Sequence, residues 1–433
     1  MADFPSEVDV AIVGAGAAGI AAARRLAAAG ELSLIVLEAR ERVGGRVHTI
    51  APRGFPLDRG AEWLHSADRN PLSALAERQG FTICRRRPDW TTRLRRSGES
   101  EEAEADWLRT REAYRRALLR AAADGPDRPL SSVLTPGGRW NALLDATSTW
   151  ANGAELDRVG IRDNVRYEDS GLNWRLREGY GRLFESLARG LPIAREAAVS
   201  RIAHGGKRLR LETARGAVTA ARAIVTVSTA ILAEERLAFD PPLPDKLAAA
   251  AGLPLGLADK LFLSLSGTWP GIGDNVHLVG STRRRETASY QIRPFGRPVI
   301  SCFFGGRWAA ALEEEGEAGM AAFAADELAR LFGADIRRRI APLAATAWRQ
   351  DRWARGSYSY ALPGHAGDRA VLAAPVEDRL FFAGEACSPN FFSTAHGAYL
   401  SGLAAADAAL ESFGRGVARS VTRYLFTTGE GVR

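Results

Sequence analysis

Six residues near the N-terminus, Gly14-Ala15-Gly16-Ala17-Ala18-Gly19, restrict this chain more than any other feature of it. They follow an apolar run, Val8–Val13, that reads as a strand, and they open an Ala-rich stretch to about Ala29 that reads as a helix. A second strand, Leu32–Leu37, ends on Glu38. Strand, Gly-rich turn, helix and strand make a βαβ unit. In such a unit Gly14 allows the tight turn, Gly16 lets a pyrophosphate approach the backbone, and Gly19 lets the helix pack onto the strand. The helix N-terminus then presents free N–H groups and a partial positive charge to phosphate. A carboxylate at Glu38 accepts hydrogen bonds from ribose hydroxyls and repels a 2′-phosphate, which disfavours NADP. Beyond it, Arg40, Gly44, Gly45 and Arg46 form a second loop able to approach the pyrophosphate and an isoalloxazine ring, an element NAD sites do not need. The pattern predicts a tightly held FAD.

The chain has 433 residues, more than one ordinary core accommodates, so two domains are expected. Residues 67–170 read as mostly helical, with a Pro/Gly-rich break over Asp124–Gly138. Val199–Val227 alternates as a small antiparallel ribbon, and residues 257–303 are strand-like. Residues 313–332 read as an amphipathic helix, 379–386 as a last buried strand, and Gly397–Phe413 as a closing helix. Nucleotide-binding signals therefore fall at both ends and in the middle. The expected fold class is α/β: a discontinuous Rossmann-type FAD-binding domain (1–75, 176–250 and 345–425) with an interleaved α+β substrate-binding domain (76–175 and 251–344).

Other features narrow the environment. No run of about 18 uncharged apolar residues suggests a membrane span, and no secretory signal is visible, so a cytoplasmic protein is expected. Three widely spaced cysteines give neither a disulfide scaffold nor a metal pattern. The net charge is +7, but the arginines are scattered among acidic residues, and no nucleic-acid partner is expected. Only Lys207, Lys246 and Lys260 are lysines, so 58 minus 3, or 55, of the basic residues are Arg. A position that keeps Lys under such a bias is one where lysine's own chemistry is needed. Lys260 stands inside Leu257-Ala258-Asp259-Lys260-Leu261-Phe262-Leu263. The plain alternative is an edge-strand lysine with its head in solvent, a place where Arg would serve equally well.

The chain resembles the flavin-dependent amine oxidases, which include the monoamine, polyamine and spermine oxidases and the oxidase domain of histone lysine demethylases. The resemblance runs from about residue 8 to residue 413. It rests on GAGAAG (14–19), LEARERVGGRV (37–47), LDRGAEWLHSADRNPL (57–72), GLADKLFL (256–263), WRQDRWARGSYSY (348–360) and FFAGEACSPNFFSTAHGAYLSG (381–402). The last three look closest to the polyamine-oxidase and demethylase branches.

The resemblance implies oxidation of an amine, from a polyamine or another long aliphatic amine, with O2 as acceptor. It implies that Glu38 and Arg46 hold the ribose and flavin side of FAD, and that Val199 meets the adenine through its backbone. Gly384 and Glu385 would face the ribityl or pyrophosphate part, with Arg40, Thr394 and Ala395 completing the cofactor contacts. Lys260 would hold a water beside the reactive flavin nitrogen, as a partly deprotonated amine in an apolar site. Tyr358 would offer a π face to the amine, with Trp353 nearby and Thr394 leaving the opposite wall open for a long substrate. His65 would orient the substrate, with Glu168 and Asp169 as candidate anchors for a distal ammonium. Aromatics such as Trp348 and Tyr360 are expected in the core. Ser357 stands where monoamine oxidases carry the cysteine that tethers FAD, so FAD should be non-covalent; Cys387 is read as structural.

Ser66 replaces the usual glycine after His65, and the excess positive charge is awkward for a polycation unless the funnel is locally acidic. Two rivals remain at this stage. One is an amino-acid oxidase or a tailoring oxidase on a cyclic or aromatic amine, which would need an Arg facing a substrate carboxylate in the first case. The other is an FAD-bound module that binds peptides.

Overall fold

The first strand, β1 (Glu7–Val13), is apolar from Val10 onward, where it is buried on both faces. It leads through the glycine turn into helix α1 (Ala17–Ala29) and then β2 (Leu34–Leu37), which pairs parallel to β1. On the other side of β1 lies β3 (Gly216–Val225), also parallel, and its first half turns away to pair antiparallel with Leu209–Thr213. Val199–Ala203 extends that ribbon. Successive side chains of β1 alternate between two cores. Val10 and Ile12 join α1 in one, while Ala11 and Val13 meet Ile35 and Leu37 in the other.

The computed structural model describes residues 4–30, 32–88, 90, 93–267 and 273–414. Among these, a second sheet holds β4 (Ala258–Leu265) between β5 (Val299–Gly305) and Ile340–Ala345, with Ser289–Ile292 and Val276–Val279 beyond β5, all antiparallel. Its two faces differ. Leu261, Leu263, Ile300, Cys302 and Phe304 point into a core shared with the long helix Gly306–Phe332. The alternate residues, Ala258, Lys260, Ser301 and Phe303, point the other way and roof a cavity. Period-two alternation thus puts Lys260 in the cavity, off the helix-covered core.

Helices Glu101–Ala123 and Asn141–Asn152 close that cavity, packing through Trp107, Trp140, Leu143 and Trp150. The Ser100 hydroxyl caps the first of them, accepting the Ala103 N–H at 3.2 Å, with Glu101, Glu102 and Glu104 in the first turn. This explains the acidic run within an Arg-rich stretch. The region expected to be helical also contains Ile83–Cys84 as a short strand.

Two expected elements differ. The buried strand over 379–386 is only Leu380–Phe382, here β6; it ends because Gly384 takes φ 151° and sends Glu385–Cys387 into a tight 3-10 turn. The helix expected over 313–332 begins at Gly306 and breaks at Gly316, where φ is 73°. The final helix, α2 (Ala395–Ser412), lies against α1 so closely that a Cβ on Gly402 would come within 2.1 Å of the Ala18 carbonyl oxygen. No described helix is long and apolar enough to cross a membrane.

Candidate active site

One elongated cavity of about 900 Å³ runs from the β1–α1 turn to the underside of the second sheet. It lies at the upper end of the range for small-molecule sites, about 300–1,000 Å³.

At its first end the glycines divide their labour. Gly14 has φ +101°, and an added Cβ would lie 2.7 Å from the Thr226 hydroxyl. Gly19 lies behind the turn, not on the cavity wall; a Cβ there would come within 1.9 Å of the Gly14 carbonyl oxygen. Gly16 does line the cavity, and a Cβ on it would meet nothing within 4 Å, so the space in front of it is kept for a ligand. A Cβ on Gly45 would come within 3.3 Å of the Gly16 Cα, and Gly44 lies alongside on the wall. Glu38 accepts the Ala15 N–H at 2.6 Å and the Arg40 N–H at 2.8 Å. Burial raises its carboxyl against these bonds. The Arg40 guanidinium forms a two-pronged ion pair with Asp351, both contacts at 2.7 Å, and Val199 lines the wall nearby.

The backbone N–H of Trp353 donates to the same Asp351 carboxylate at 2.9 Å, and Trp353 lines the cavity wall.

In the middle, Arg46 donates to Glu385 and to the Ser357 carbonyl, both at 2.9 Å. Glu385 also accepts the Ser359 hydroxyl (2.7 Å) and the backbone N–H groups of Ser359 (3.1 Å) and Ser393 (2.9 Å). Burial alone would raise this carboxyl, but Arg46 and the Ser359 hydroxyl outweigh it and hold it below its ordinary value. Gly384 faces open space beside it. Thr394 caps α2, accepting the Gly397 N–H at 3.0 Å and donating to Phe391 at 2.6 Å. Its hydroxyl is therefore committed to the helix, and the start of α2 at Ala395 faces the cavity. Ser357 bonds through its hydroxyl to both the N–H (2.8 Å) and the carbonyl (2.9 Å) of Ala258, locking the second sheet to this segment.

This set fits FAD: an open glycine cradle, a fixed ribose acceptor in Glu38, and a held Arg46–Glu385 pair. No described cysteine takes the tethering position. Cys387 is buried, and burial pushes its thiol up to about 12.

At the far end, Lys260 Nζ donates to the carbonyls of Asp58 (2.8 Å) and Gly60 (3.0 Å) and to the Glu62 carboxylate (2.9 Å). Three acceptors use all three N–H bonds of an ammonium. The Nζ is thus fully engaged by protein acceptors, one of them the Glu62 carboxylate. Glu62 also takes Arg175 at 2.8 Å, and Arg175 reaches Gln291 at 2.7 Å. Burial would raise the Glu62 carboxyl, but Lys260 and Arg175 hold it at about 2. Asp58, beside this group, goes the other way: burial pushes it up to about 6.

His65 bonds through Nδ1 to the Asn173 side-chain oxygen at 2.6 Å, which fixes the Nδ1–H tautomer and leaves Nε2 as a lone pair. Burial lowers its pKa, so it is neutral near pH 7. The Tyr358 hydroxyl donates to the Trp150 carbonyl at 2.6 Å, pinning its ring on the wall. Trp63 and Trp90 meet edge to face, with centroids 5.2 Å apart, on the same wall. Asp169 lines the cavity. Glu168 does not: it is turned outward by an ion pair with Arg69 at 3.0 Å. Trp348 and Tyr360 are buried, as expected of core aromatics.

Sequence reading missed the Glu62–Arg175 pairing. Its one trace is an Arg in an otherwise apolar strand, Trp174–Leu176.

The description flavin containing amine oxidoreductase matches residues 17–86 and 85–410 of the chain. Polyamine oxidase 2 of Arabidopsis thaliana is 30% identical over 434 residues, spanning 92% of this chain and 87% of that protein. Polyamine oxidase 4 of Oryza sativa subsp. japonica is 29% identical over 437 residues, spanning 93% and 88%. A solved structure of wild-type putrescine oxidase bound to putrescine shares the fold with a TM-score of 0.72, at 20% identity and over 93% of this chain and 98% of that one.

Proposed function

Because the chain belongs to the flavin-containing amine oxidoreductase family, and so is an amine oxidase with non-covalent FAD, we propose that it oxidises a long aliphatic amine. Polyamines are the first members of that class to assay, since the plant relatives are named polyamine oxidases. The observation that carries the reading is the convergence of Lys260, His65 and Tyr358 on one cavity wall, directly beyond the Arg46–Glu385 pair.

FAD held along the cavity by the glycine turn, Arg46 and Glu385 would supply the redox chemistry, a two-electron oxidation of the amine at the carbon next to its nitrogen with O2 as the final acceptor, giving H2O2. The resulting imine is hydrolysed to an aldehyde and a smaller amine or ammonia. The protein prepares the amine. Lys260 places a positive charge at this end, which favours a bound amine that has shed its extra proton. Such an amine has the lone pair that oxidation requires and an N–H to give to His65 Nε2. The Tyr358 face packs against the alkyl chain.

The test is anaerobic bleaching of the flavin near 450 nm with putrescine, spermidine, spermine, N-acetylated polyamines, benzylamine and L-amino acids. Rapid bleaching by a long aliphatic amine is expected; bleaching by benzylamine alone rejects the reading. His65→Ala should weaken substrate binding roughly tenfold, as loss of one hydrogen bond does, with the limiting bleaching rate little changed. Equal losses in both parameters would assign His65 to the chemical step.

A further inference from the structure

The substrate end of the cavity is basic, where a polycation would need it acidic. Among the described residues, the acids on the cavity wall are Glu38, Glu62, Asp169 and Glu385. Glu38 and Glu385 belong to the cofactor segments, and Glu62 is already neutralised by Lys260 and Arg175. That leaves Asp169, whose carboxylate takes the Gly171 N–H at 2.8 Å. Against it stand Arg111 and Arg115, which reach the wall from helix Glu101–Ala123.

Their placement is fixed by the helix. Trp107, Arg111 and Arg115 are spaced four apart, so they share one face. Trp107 is buried against Trp140, with centroids 5.7 Å apart, and anchors that face. The Arg111 guanidinium lies 5.7 Å from the Trp107 ring centroid, which steers it. Arg115 is occupied by Glu112, with two contacts of 2.9 Å. Arg111 makes no ion pair with any described residue, and its side chain is open to solvent while lining the cavity. Burial of the surrounding wall pulls its pKa below the ordinary value. A cation so placed lacks a counter-ion among the described residues, and a guanidinium receives a carboxylate through two parallel N–H donors.

We infer that Arg111 receives an anionic group, a carboxylate, carried by the far end of the aliphatic amine that the enzyme oxidises. This rests on the amine-oxidase reading above and makes it more specific: the preferred substrate is an amine at the flavin end and an acid at the other, ahead of a diamine of the same length.

The test compares pairs that differ only at the far end, using the FAD-loaded enzyme: putrescine against gamma-aminobutyrate, cadaverine against delta-aminovalerate, and hexamethylenediamine against epsilon-aminocaproate. The measured quantity is the anaerobic bleaching rate divided by the substrate dissociation constant. In at least one pair the amino acid should lead by about tenfold or more. Arg111→Gln should erase that lead with FAD content unchanged, and Arg111→Lys should keep part of it. A lead for the diamine in every pair, or an amino-acid lead that survives Arg111→Gln, overturns the inference while leaving the amine-oxidase reading intact. Silence of both sets and of the wider amine panel removes the reading and the inference together. A second measurement avoids turnover: caproate should perturb the flavin spectrum of the wild type, with a dissociation constant raised about tenfold in Arg111→Gln, and no perturbation by caproate also overturns the inference.

Discussion

Lys260→Met should slow anaerobic flavin reduction near pH 7.5 by on the order of 100-fold, and Glu62→Gln should shift the pH profile the opposite way. Both follow from charge. Lys260 and Arg175 are cations, and Glu62, held at about 2, is an anion throughout the working range. Above pH 7 Asp58 is ionised as well, so two cations face two anions and the neighbourhood carries no net charge, with His65 neutral. A nearby charge moves a pKa by roughly one to three pH units. The Lys260 cation lowers the pKa of a bound ammonium, so more of the substrate is in its reactive, neutral form at a given pH.

Removing the Lys260 charge brings the site to one net negative charge. The bound amine then holds its proton to higher pH, and each pH unit of that change reduces the neutral fraction about tenfold on the acid side. The alkaline rise of the rate should move upward. Glu62→Gln brings the site to one net positive charge, and the same rise should move downward, even if the variant is less stable. The profile should be measured above pH 7, clear of Asp58, which titrates at about 6. FAD absorbance in each variant checks occupancy. Shifts in the same direction, or no shift in either, would show that the Lys260 charge does not prepare the substrate.

What the sequence made legible is local. The β1–α1–β2 unit lies within 32 consecutive residues, from Glu7 to Glu38, and each part has its own signature, so its fold and its nucleotide role can be read together. Period-two alternation likewise separates Lys260 from the leucines beside it. The substrate end is different. Glu62 meets Arg175 across 113 positions and Lys260 across 198, and Arg40 meets Asp351 across 311. No local pattern predicts such pairings, since each joins segments that only the completed fold brings together. With Glu62 unplaced, Lys260 looked like a lone amine in an apolar strand. Arg111 carried no sequence signal at all, being one arginine among 55, that is 58 basic residues minus 3 lysines.

Glu385→Ala is expected to lose both FAD affinity and fold stability, for one physical reason. The side chain gathers Arg46, the Ser359 hydroxyl and the N–H groups of Ser359 and Ser393. Truncation leaves a cation and three donors without their acceptor, and breaking a buried pair in this way costs about 3–5 kcal/mol. Arg46 then keeps only the Ser357 carbonyl as its partner at the cavity wall, and FAD retention should fall. Glu385→Gln keeps the shape and one acceptor oxygen but removes the charge, and should lie between the two.

The pH dependence has a definite sign. Glu385 titrates below its ordinary value of 4.5 in the fold. The stability it contributes is therefore fully present above about 4.5, the unfolded value, and is lost as pH falls from there through the folded value. The difference in urea stability between wild type and Glu385→Ala, measured on FAD-free protein, should be largest at pH 6–8 and should shrink below about 4.5. A difference that stays constant down to pH 3 would mean that packing, and not the charged network, is what Glu385 supplies.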